Sequence, residues 1–517
     1  MSGFARVVHA EWTKFRTVRG WTAGMLAAAA VIVVFGLFPG MRGTCDDSCS
    51  LPVGPEGGEV TDVFTFVHRP LAGDGSVTVR VASMTGQLPE LTGTGQRPGT
   101  APWAKAGLIV KDGTKQGSTY AAVMVTGAHG VRLQHDYVHD RAGKPGAVTA
   151  SAPRWLRLTR AGDVVTALES TDGTAWTGVG TVRLDGLPAT AEVGLFVTSP
   201  MYVEGHGTAG AAGAPSLATA GFDHLTTTGS WAPATWTTER VGGPADEDRP
   251  LGGPPPTAAG EEPGGDRAPA AGQETGAEQT GDGFTVSGSG DIAPAVAGAA
   301  GLGTTISQTL VGTFAGLVFV VVVGAMTMTG EYRRGLIRTS LAAVPHRGTA
   351  LAAKATVLGA FTFAVGVVAA AVVVTVGPGI IRGNGVYVHP VSPATELRIV
   401  AGTGALLAVA ALLALAFGVL LRRGTAAVTL AIVATVVPYL LAMTVLPVSA
   451  GAWLLRVTPA AAFAVQQATP QYAQVEGLYT PANGFFPLEP WAGFAVLLAW
   501  AGAGLAFAAY RFRRRDV

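Results

Sequence analysis

Acidic and histidine side chains in the first half of the chain are the first candidates for chemistry. Glycosidic hydrolysis uses two carboxylates that flank the scissile bond, but the acids from Glu59 to Glu192 show no pattern that pairs any two. His129, His135 and His139 lie close together, yet exposed histidines along a hairpin explain them without a metal ion. Neither set predicts an active site or a metal centre.

The sequence also lacks a recognisable nucleotide site. Gly143-Lys144 is the only Gly-Lys pair, and Pro145 follows it where a phosphate-binding loop needs Ser or Thr. We therefore expect no enzyme activity and no cofactor in this chain. The formal net charge of +1 says little about partners, and no nucleic-acid partner is expected.

Six apolar stretches divide the chain, in which only 13% of residues are charged, against roughly 25% in soluble proteins. A hydrocarbon core of about 30 Å needs about 20 helical residues, and each stretch is about that long. The stretches are 20–39, 305–328, 355–380, 399–421, 425–447 and 491–510. The sequence predicts an α-helical membrane protein with six transmembrane helices.

Lysines and arginines beside these stretches predict the orientation. They precede the first stretch, follow the second, separate the fourth from the fifth and follow the sixth. Six spans place all four clusters on one face, so we expect a multi-pass plasma-membrane protein with both termini in the cytoplasm. Residues 20–39 could instead be a cleaved signal peptide, but no small-x-small site follows Phe38, which favours a retained anchor.

Cys45 and Cys49 follow the first stretch and are the only cysteines. On the oxidising side of the membrane they could close a small disulfide loop, or they could remain free thiols in a flexible stalk. The sequence leaves both possibilities open.

Residues from Val60 to about Leu225 have an all-β pattern, in which runs rich in Val, Thr and aromatics are broken by Gly, Asp and Pro. Ten such runs predict a β-sandwich. The order of Asp62–His68, Trp155–Arg160 and Gly221–Leu225 resembles the concanavalin-like, laminin-G-like jelly-roll modules of bacterial secreted glycosidases. The resemblance implies a lectin-type extracytoplasmic domain and, more weakly, glycan binding.

Three tryptophans of this region, Trp103, Trp155 and Trp176, are candidates for stacking on sugar rings. Packing between the two sheets of a sandwich is the simpler explanation for them.

Residues 240–303 contain no Val, Leu or Ile between Leu251 and Val286. Such a segment cannot bury enough apolar surface to fold, which predicts a disordered linker. The expected domains are an N-terminal helix and first span at 1–40, a β domain with its stalk at 41–239, the linker at 240–303 and a five-helix membrane domain at 304–517.

Two cytoplasmic segments resemble parts of the permease subunits of type-2 ABC transporters, particularly actinobacterial ones. Residues 10–19, Ala-Glu-Trp-Thr-Lys-Phe-Arg-Thr-Val-Arg, resemble the interfacial elbow helix, and 330–347 resemble the coupling helix with its Glu-x-x-x-Gly motif. Leu336 stands where the family often has Thr. Ordinary positive-inside anchors without a partner would also account for both segments.

The resemblance implies roles for ten residues. Glu331 and Gly335 take the motif positions, and Arg333, Arg334 and Arg338 beside them would contact a separate cytoplasmic ATPase. The elbow residues are Glu11, Trp12, Lys14, Arg16 and Arg19. Trp453–Val465 resembles the short re-entrant outer helices of these permeases, although an extracellular surface helix would have the same sequence.

The five later stretches contain no Asp, Glu, Lys, Arg or His in their interiors, the groups that ion-coupled transporters use. We therefore predict the permease subunit of an ATP-driven exporter that works in membrane lipid as a homodimer or heterodimer, with a β domain that binds glycan or gates release. The alternative is a non-transporting receptor or adhesin that recognises carbohydrate, although six spans exceed what an anchor needs.

Overall fold

The computed structural model describes residues 3–38, 51–90, 95–204, 212–242, 275–296, 303–343, 346–468, 471–475, 479, 481 and 484–514. Two helices, α1 and α2, precede a β domain, and a second helical part follows it. The helices are α1 Gly3–Thr17, α2 Arg19–Leu37, α3 Gly312–Arg333, α4 Leu336–Ala343, α5 Arg347–Gly383, α6 Pro393–Leu421, α7 Gly424–Thr435, α8 Val437–Thr444, α9 Val448–Val457 and α10 Pro490–Arg514. Two 3₁₀ segments lie at Gln308–Val311 and Pro459–Gln466.

Five helical segments among the described residues are long and apolar enough to cross a bilayer. They are α2, Gln308–Arg333, α5, α6 and α10. α7 and α8 together meet the same criteria but bend by 41° at their break, so the predicted span 425–447 is a broken helix. Pro438 at the start of α8 lacks the N–H that would continue the helical ladder. The part of the chain that the structure describes thus has five or six candidate spans.

The helices pack around α6, which contacts α3, α5, α7 and α10. Gly366 of α5 and Gly404 of α6 meet so closely that a Cβ on Gly366 would lie 2.8 Å from the Cα of Gly404. Small residues permit this approach, as is usual between helices in lipid.

The β domain confirms the all-β prediction, and fourteen of its described strands form one antiparallel sheet. Strand β2 (Phe64–Pro89) is 26 residues long. It pairs along its first part with β11 (Thr190–Thr198) and β15 (Thr237–Val241), and further on with β8 (Arg154–Ala161) and β14 (Leu217–Trp231). The sheet folds over itself, because β8 contacts β4 and β5, which are not its neighbours. The strands are β1 Val60–Asp62, β2 Phe64–Pro89, β3 Gln96–Pro98, β4 Lys105–Lys111, β5 Tyr120–Thr126, β6 Val131–His135, β7 His139–Ala142, β8 Arg154–Ala161, β9 Val164–Ser170, β10 Thr177–Arg183, β11 Thr190–Thr198, β12 Tyr202–Glu204, β13 Ala212–Ala214, β14 Leu217–Trp231, β15 Thr237–Val241, β16 Gly276–Thr280, β17 Gly283–Gly288 and β18 Ile292–Pro294. A jelly-roll topology stays a prediction.

The prediction of a disordered linker at 240–303 is wrong for its later portion, where β16, β17 and β18 lie. β17 pairs with β14 in the register Phe222↔Phe284 and buries Phe284 and Val286. β17 shares backbone hydrogen bonds with β14 on one side and β16 on the other, so few inward apolar side chains are needed to hold it. Residues 243–274 lie outside the described residues.

Two buried lysines lie at the two ends of β4. They form ion pairs with aspartates in the segments through which the chain enters and leaves the β domain. Lys111 Nζ donates to Asp62 Oδ2 at 2.8 Å, and Lys105 Nζ donates to Asp291 Oδ1 at 2.6 Å. Both lysines are 0% exposed. Burial lowers the pKa of Lys111 and the charge of Asp62 opposes that shift. Removing one partner of such a pair strongly destabilises the fold, because the other charge would remain buried alone.

The entering and leaving strands, β1 and β18, pair with each other in the register Val60↔Pro294. Beside them lies His389, which belongs to the connection between α5 and α6. Its Nε2 atom is 3.4 Å from Oε2 of Glu59. Gln474, from the segment before α10, donates to the carbonyl oxygen of Tyr137 at 3.2 Å. The β domain is therefore docked on the helical part through several contacts.

Replacing residues 62–292 by an Asn-Gly turn should leave the helical part folded, because Thr61 and Ala293 are paired neighbours that a two-residue hairpin turn can join. Deleting 55–240 should instead cause aggregation, since it leaves β17 and β18 without their partners β14 and β1. Gel filtration in detergent after membrane extraction would compare the two proteins. Aggregation of the hairpin-joined chain would show that the helices need the β domain to fold.

Candidate functional site

Four charged side chains from three helices meet at one end of the helical part. The Glu331 carboxylate at the end of α3 accepts hydrogen bonds from Lys14 of α1 and from Lys354 of α5, the latter at 2.7 Å. Lys354 Nζ also donates to Glu11 Oε2 of α1 at 2.8 Å. We call Glu11, Lys14, Glu331 and Lys354 the charge cluster.

The charge cluster is balanced and largely shielded from solvent. Glu331 is 3% exposed and Lys354 is 7% exposed. Two carboxylates face two ammonium groups, so each buried charge has an opposite partner. Removing one member of such a buried pair typically costs about 3–5 kcal/mol. The cluster therefore fixes α1 against the ends of α3 and α5.

Gly335 turns the chain sharply just beyond the charge cluster. Its φ is +68°, a left-handed conformation that glycine adopts without strain. The Gly335 N–H donates to the Tyr332 carbonyl at 3.2 Å, which closes the end of α3. The predicted helix at 330–347 is thus divided between the last turn of α3 and the separate helix α4. In the Glu-x-x-x-Gly motif, Glu331 lies in the last turn before this bend.

The arginines of this segment face solvent, whereas Glu331 does not. Arg333, Arg334 and Arg338 are exposed, and Ile337 of α4 is 6% exposed and packs in the helical core. Ile337 anchors α4 among its described side chains, and the three arginines form a cationic surface at the junction of α3 and α4. We call Arg333, Arg334 and Arg338 the arginine surface.

The predicted elbow helix is α1, and the structure divides its residues between two roles. Glu11 and Lys14 belong to the charge cluster, Trp12 and Arg16 are exposed, and Arg19, also exposed, lies outside α1 as the first residue of α2. Trp12 lies 5.8 Å from Phe361 of α5 between ring centroids.

Two residues of this site escaped the sequence analysis. Phe15 is buried at 3% exposure, and its ring lies 5.1 Å from Phe361. Lys354 was counted only as a cationic residue beside a span, because the predicted span began at 355 whereas α5 begins at Arg347. A single lysine at the edge of an apolar run was the available signal.

The three predicted sugar-stacking tryptophans lie apart from this site, in the β domain. Trp103 is 3% exposed and stacks on His129 at 4.1 Å, so it offers no open face to a ligand. Trp155 and Trp176 are half-buried, and the Arg157 guanidinium lies 4.0 Å from the Trp176 ring centroid. Cys45 and Cys49, the predicted disulfide partners, lie outside the described residues.

A family model described as "ABC-2 family transporter protein" matches residues 170–517, more than half of the chain. The chain belongs to this ABC-2 transporter family. Membership implies a multi-pass membrane permease with an ATPase partner subunit. The matched residues include α3, α4 and α5, and therefore Glu331, Lys354 and the arginine surface. α1 precedes the matched region and is joined to it through the charge cluster.

Comparison with solved structures returned matches of low similarity. A Saccharomyces cerevisiae protein of unknown function is 15% identical, with a TM-score of 0.22, over 36% of this chain and 85% of its own. Scytalido-glutamic peptidase with a transition state analog inhibitor is 8% identical, with a TM-score of 0.23, over 43% and 98%. Sheep galectin-11 in complex with glycerol is 12% identical, with a TM-score of 0.15, over 26% and 90%. The curated proteins gave no match.

Glu331→Gln leaves Lys14 and Lys354 without their shared carboxylate, so the free energy of unfolding should fall by about 3–5 kcal/mol. The double variant Glu331→Gln/Lys354→Met removes one charge of each sign and should lose less than the sum of the two single changes, because the two replaced side chains are paired with each other. Thermal unfolding of the purified permease in detergent measures this difference.

Arg338→Gln is the matched control, because Arg338 is exposed and its replacement should change stability by no more than about 0.5 kcal/mol. Additive losses in the double variant would show that Glu331 and Lys354 do not depend on each other.

Proposed function

We propose that this ABC-2 family protein is the permease subunit of an ATP-driven exporter, energised by a separate cytoplasmic ATPase that docks on α4. The observation that carries the proposal is the position of the arginine surface. It spans the end of α3 and the start of α4 and is exposed, and α3 is joined to α1 and α5 by the buried charge cluster. A partner that moves α4 therefore acts on three helices together.

The glutamate and the glycine of the Glu-x-x-x-Gly motif have different tasks in this mechanism. Glu331 is buried, so it positions the helices and does not touch the ATPase. Gly335 allows the bend that turns α4 away from the axis of α3. The arginines supply the contact, because guanidinium groups bind carboxylates on a partner surface with defined geometry.

The two ends of α5 support the proposed orientation. Lys354 lies near the start of α5, and the segment that contacts the β domain follows its end at Gly383. At 1.5 Å per residue the two sites are about 45 Å apart, more than the thickness of a bilayer core. The β domain and the arginine surface then lie on opposite faces of the plasma membrane, with both termini in the cytoplasm.

The permease works in membrane lipid as a homodimer or heterodimer, and its β domain binds an extracellular glycan or gates release. A docked domain suits either task, because its contacts at His389 and Gln474 link it to the outer connections of α5 and α10. Motion of those connections then reaches the β domain directly.

The arginine surface gives a direct test of the proposal. The charge reversal Arg334→Glu/Arg338→Glu should reduce recovery of the ATPase with the tagged permease at least tenfold, because like charges would oppose docking. The partner is identified as a soluble chain that carries a phosphate-binding loop and hydrolyses ATP. Recovery from native membranes is measured together with ATPase activity.

Arg514→Glu provides the control, since Arg514 is an exposed arginine of α10 outside the arginine surface. It should leave recovery unchanged, and all three proteins should unfold at the same temperature. Full recovery and activity of the reversed variant would place the ATPase contact elsewhere.

A further inference from the structure

A strained bulge interrupts β14 on the surface of the β domain. The register with β2 passes from Asp223↔Arg80 to Thr226↔Thr78, so His224 and Leu225 have no partner residues. His224 has a φ of +52°, a conformation that few residues other than glycine adopt. Bulges re-aim side chains, and strained residues concentrate at ligand sites.

The bulge faces a groove whose opposite wall is the turn between β16 and β17. The groove has a volume of about 360 Å³, which falls within the range of small-ligand sites. Thr280, Asp282 and Thr285 line this wall and are exposed, while Asp223 and His224 line the other. Gly283 is required between them, because a Cβ there would lie 2.3 Å from the Phe222 carbonyl oxygen.

The polar side chains on the bulge are held in place. Arg80 donates to both Asp223 oxygens, through Nε at 2.7 Å and Nη2 at 2.6 Å. This hydrogen bonding holds the pKa of Asp223 below its ordinary value. His224 Nδ1 lies 3.0 Å from Asp223 Oδ1, which fixes the imidazole.

An aromatic surface adjoins the groove at His224. The Trp155 ring lies 5.2 Å from the His224 ring at 62°, and the Arg80 guanidinium lies 5.9 Å from the Trp155 centroid. One side of Trp155 packs on Gly173, where a Cβ would approach the ring to 2.8 Å. Trp155 is half-buried and keeps a fixed orientation.

We propose that this groove, with His224, Asp282 and Trp155, is a binding site for a neutral carbohydrate. The inference rests on the proposed glycan-binding role of the β domain and names its site. Hydroxyl and imidazole groups can both donate hydrogen bonds to sugar hydroxyls and accept them, and a carboxylate accepts them. An indole ring offers an apolar face to the C–H side of a sugar ring. Arg80 neutralises Asp223, so the exposed carboxylate of Asp282 is the charge that opposes anionic sugars by like-charge repulsion.

Binding is tested with the full-length protein in lipid nanodiscs, by calorimetric titration with cellohexaose and chitohexaose. Both are neutral chains, and oligogalacturonate is the anionic comparison. Saturable binding of at least one neutral chain and none of oligogalacturonate is expected. His224→Gly and Asp282→Asn should each weaken that binding at least tenfold.

His224→Gly separates binding from folding, because glycine adopts the φ of this position without strain. Its unfolding temperature should be equal to or higher than that of the parent protein. Asp185→Asn is the control for Asp282→Asn, because Asp185 is another turn aspartate whose side chain is 94% exposed. It should leave binding unchanged.

Absence of saturable binding to both neutral chains would overturn the proposal, as would preferential binding of oligogalacturonate or unchanged affinity in His224→Gly and Asp282→Asn. None of these results bears on recovery of the ATPase through the arginine surface. Failure of the groove and failure of the transport function are therefore separate outcomes.

Discussion

The Glu331 carboxylate is the interaction on which the rest of the helical part depends. It is buried at the junction of three helices, and two lysines from remote parts of the sequence neutralise it. A lone charge at this depth would carry a large desolvation cost, so the helices must keep the arrangement that pairs it. α1, which has a single fully buried residue in Phe15, is thereby fixed in place by charge as well as by packing.

The β domain also depends on buried ion pairs. Lys105 and Lys111 are fully buried, and each holds an aspartate that lies next to one of the two chain crossings into the helical part. A buried ion pair adds little net stability compared with an apolar pair, but it penalises every arrangement that separates its partners. Both ends of the β domain are thus held in register with β4, and its position over the helices follows from that.

The candidate spans could be predicted from composition and length, because a bilayer requires helices that are apolar and about 20 residues long. The all-β region could be predicted from strand-like runs and turn residues. The break between α7 and α8 was missed because Pro438 lies within an apolar run that satisfies a hydropathy test. The motif located Glu331 and Gly335 but not the burial of Glu331, since one of its partners, Lys14, is 317 residues away. The strands β16 to β18 were missed because their stability comes from neighbouring strands and not from their own apolar content.

A single helix, α5, runs from the charge cluster to the segment that contacts the β domain. Lys354, a member of the charge cluster, lies near the start of α5, and the segment after the end of α5 carries His389, which contacts Glu59. A helix of 37 residues moves largely as a rigid body unless a kink absorbs the motion, and Pro378 is the one proline inside it. Pro378 lies five residues before the end of α5, so most of the helix between the charge cluster and the β domain lacks a proline at which to bend. A displacement of α5 at the charge cluster must therefore move the β domain unless it is absorbed near Pro378 or in the connection 384–392, which carries His389.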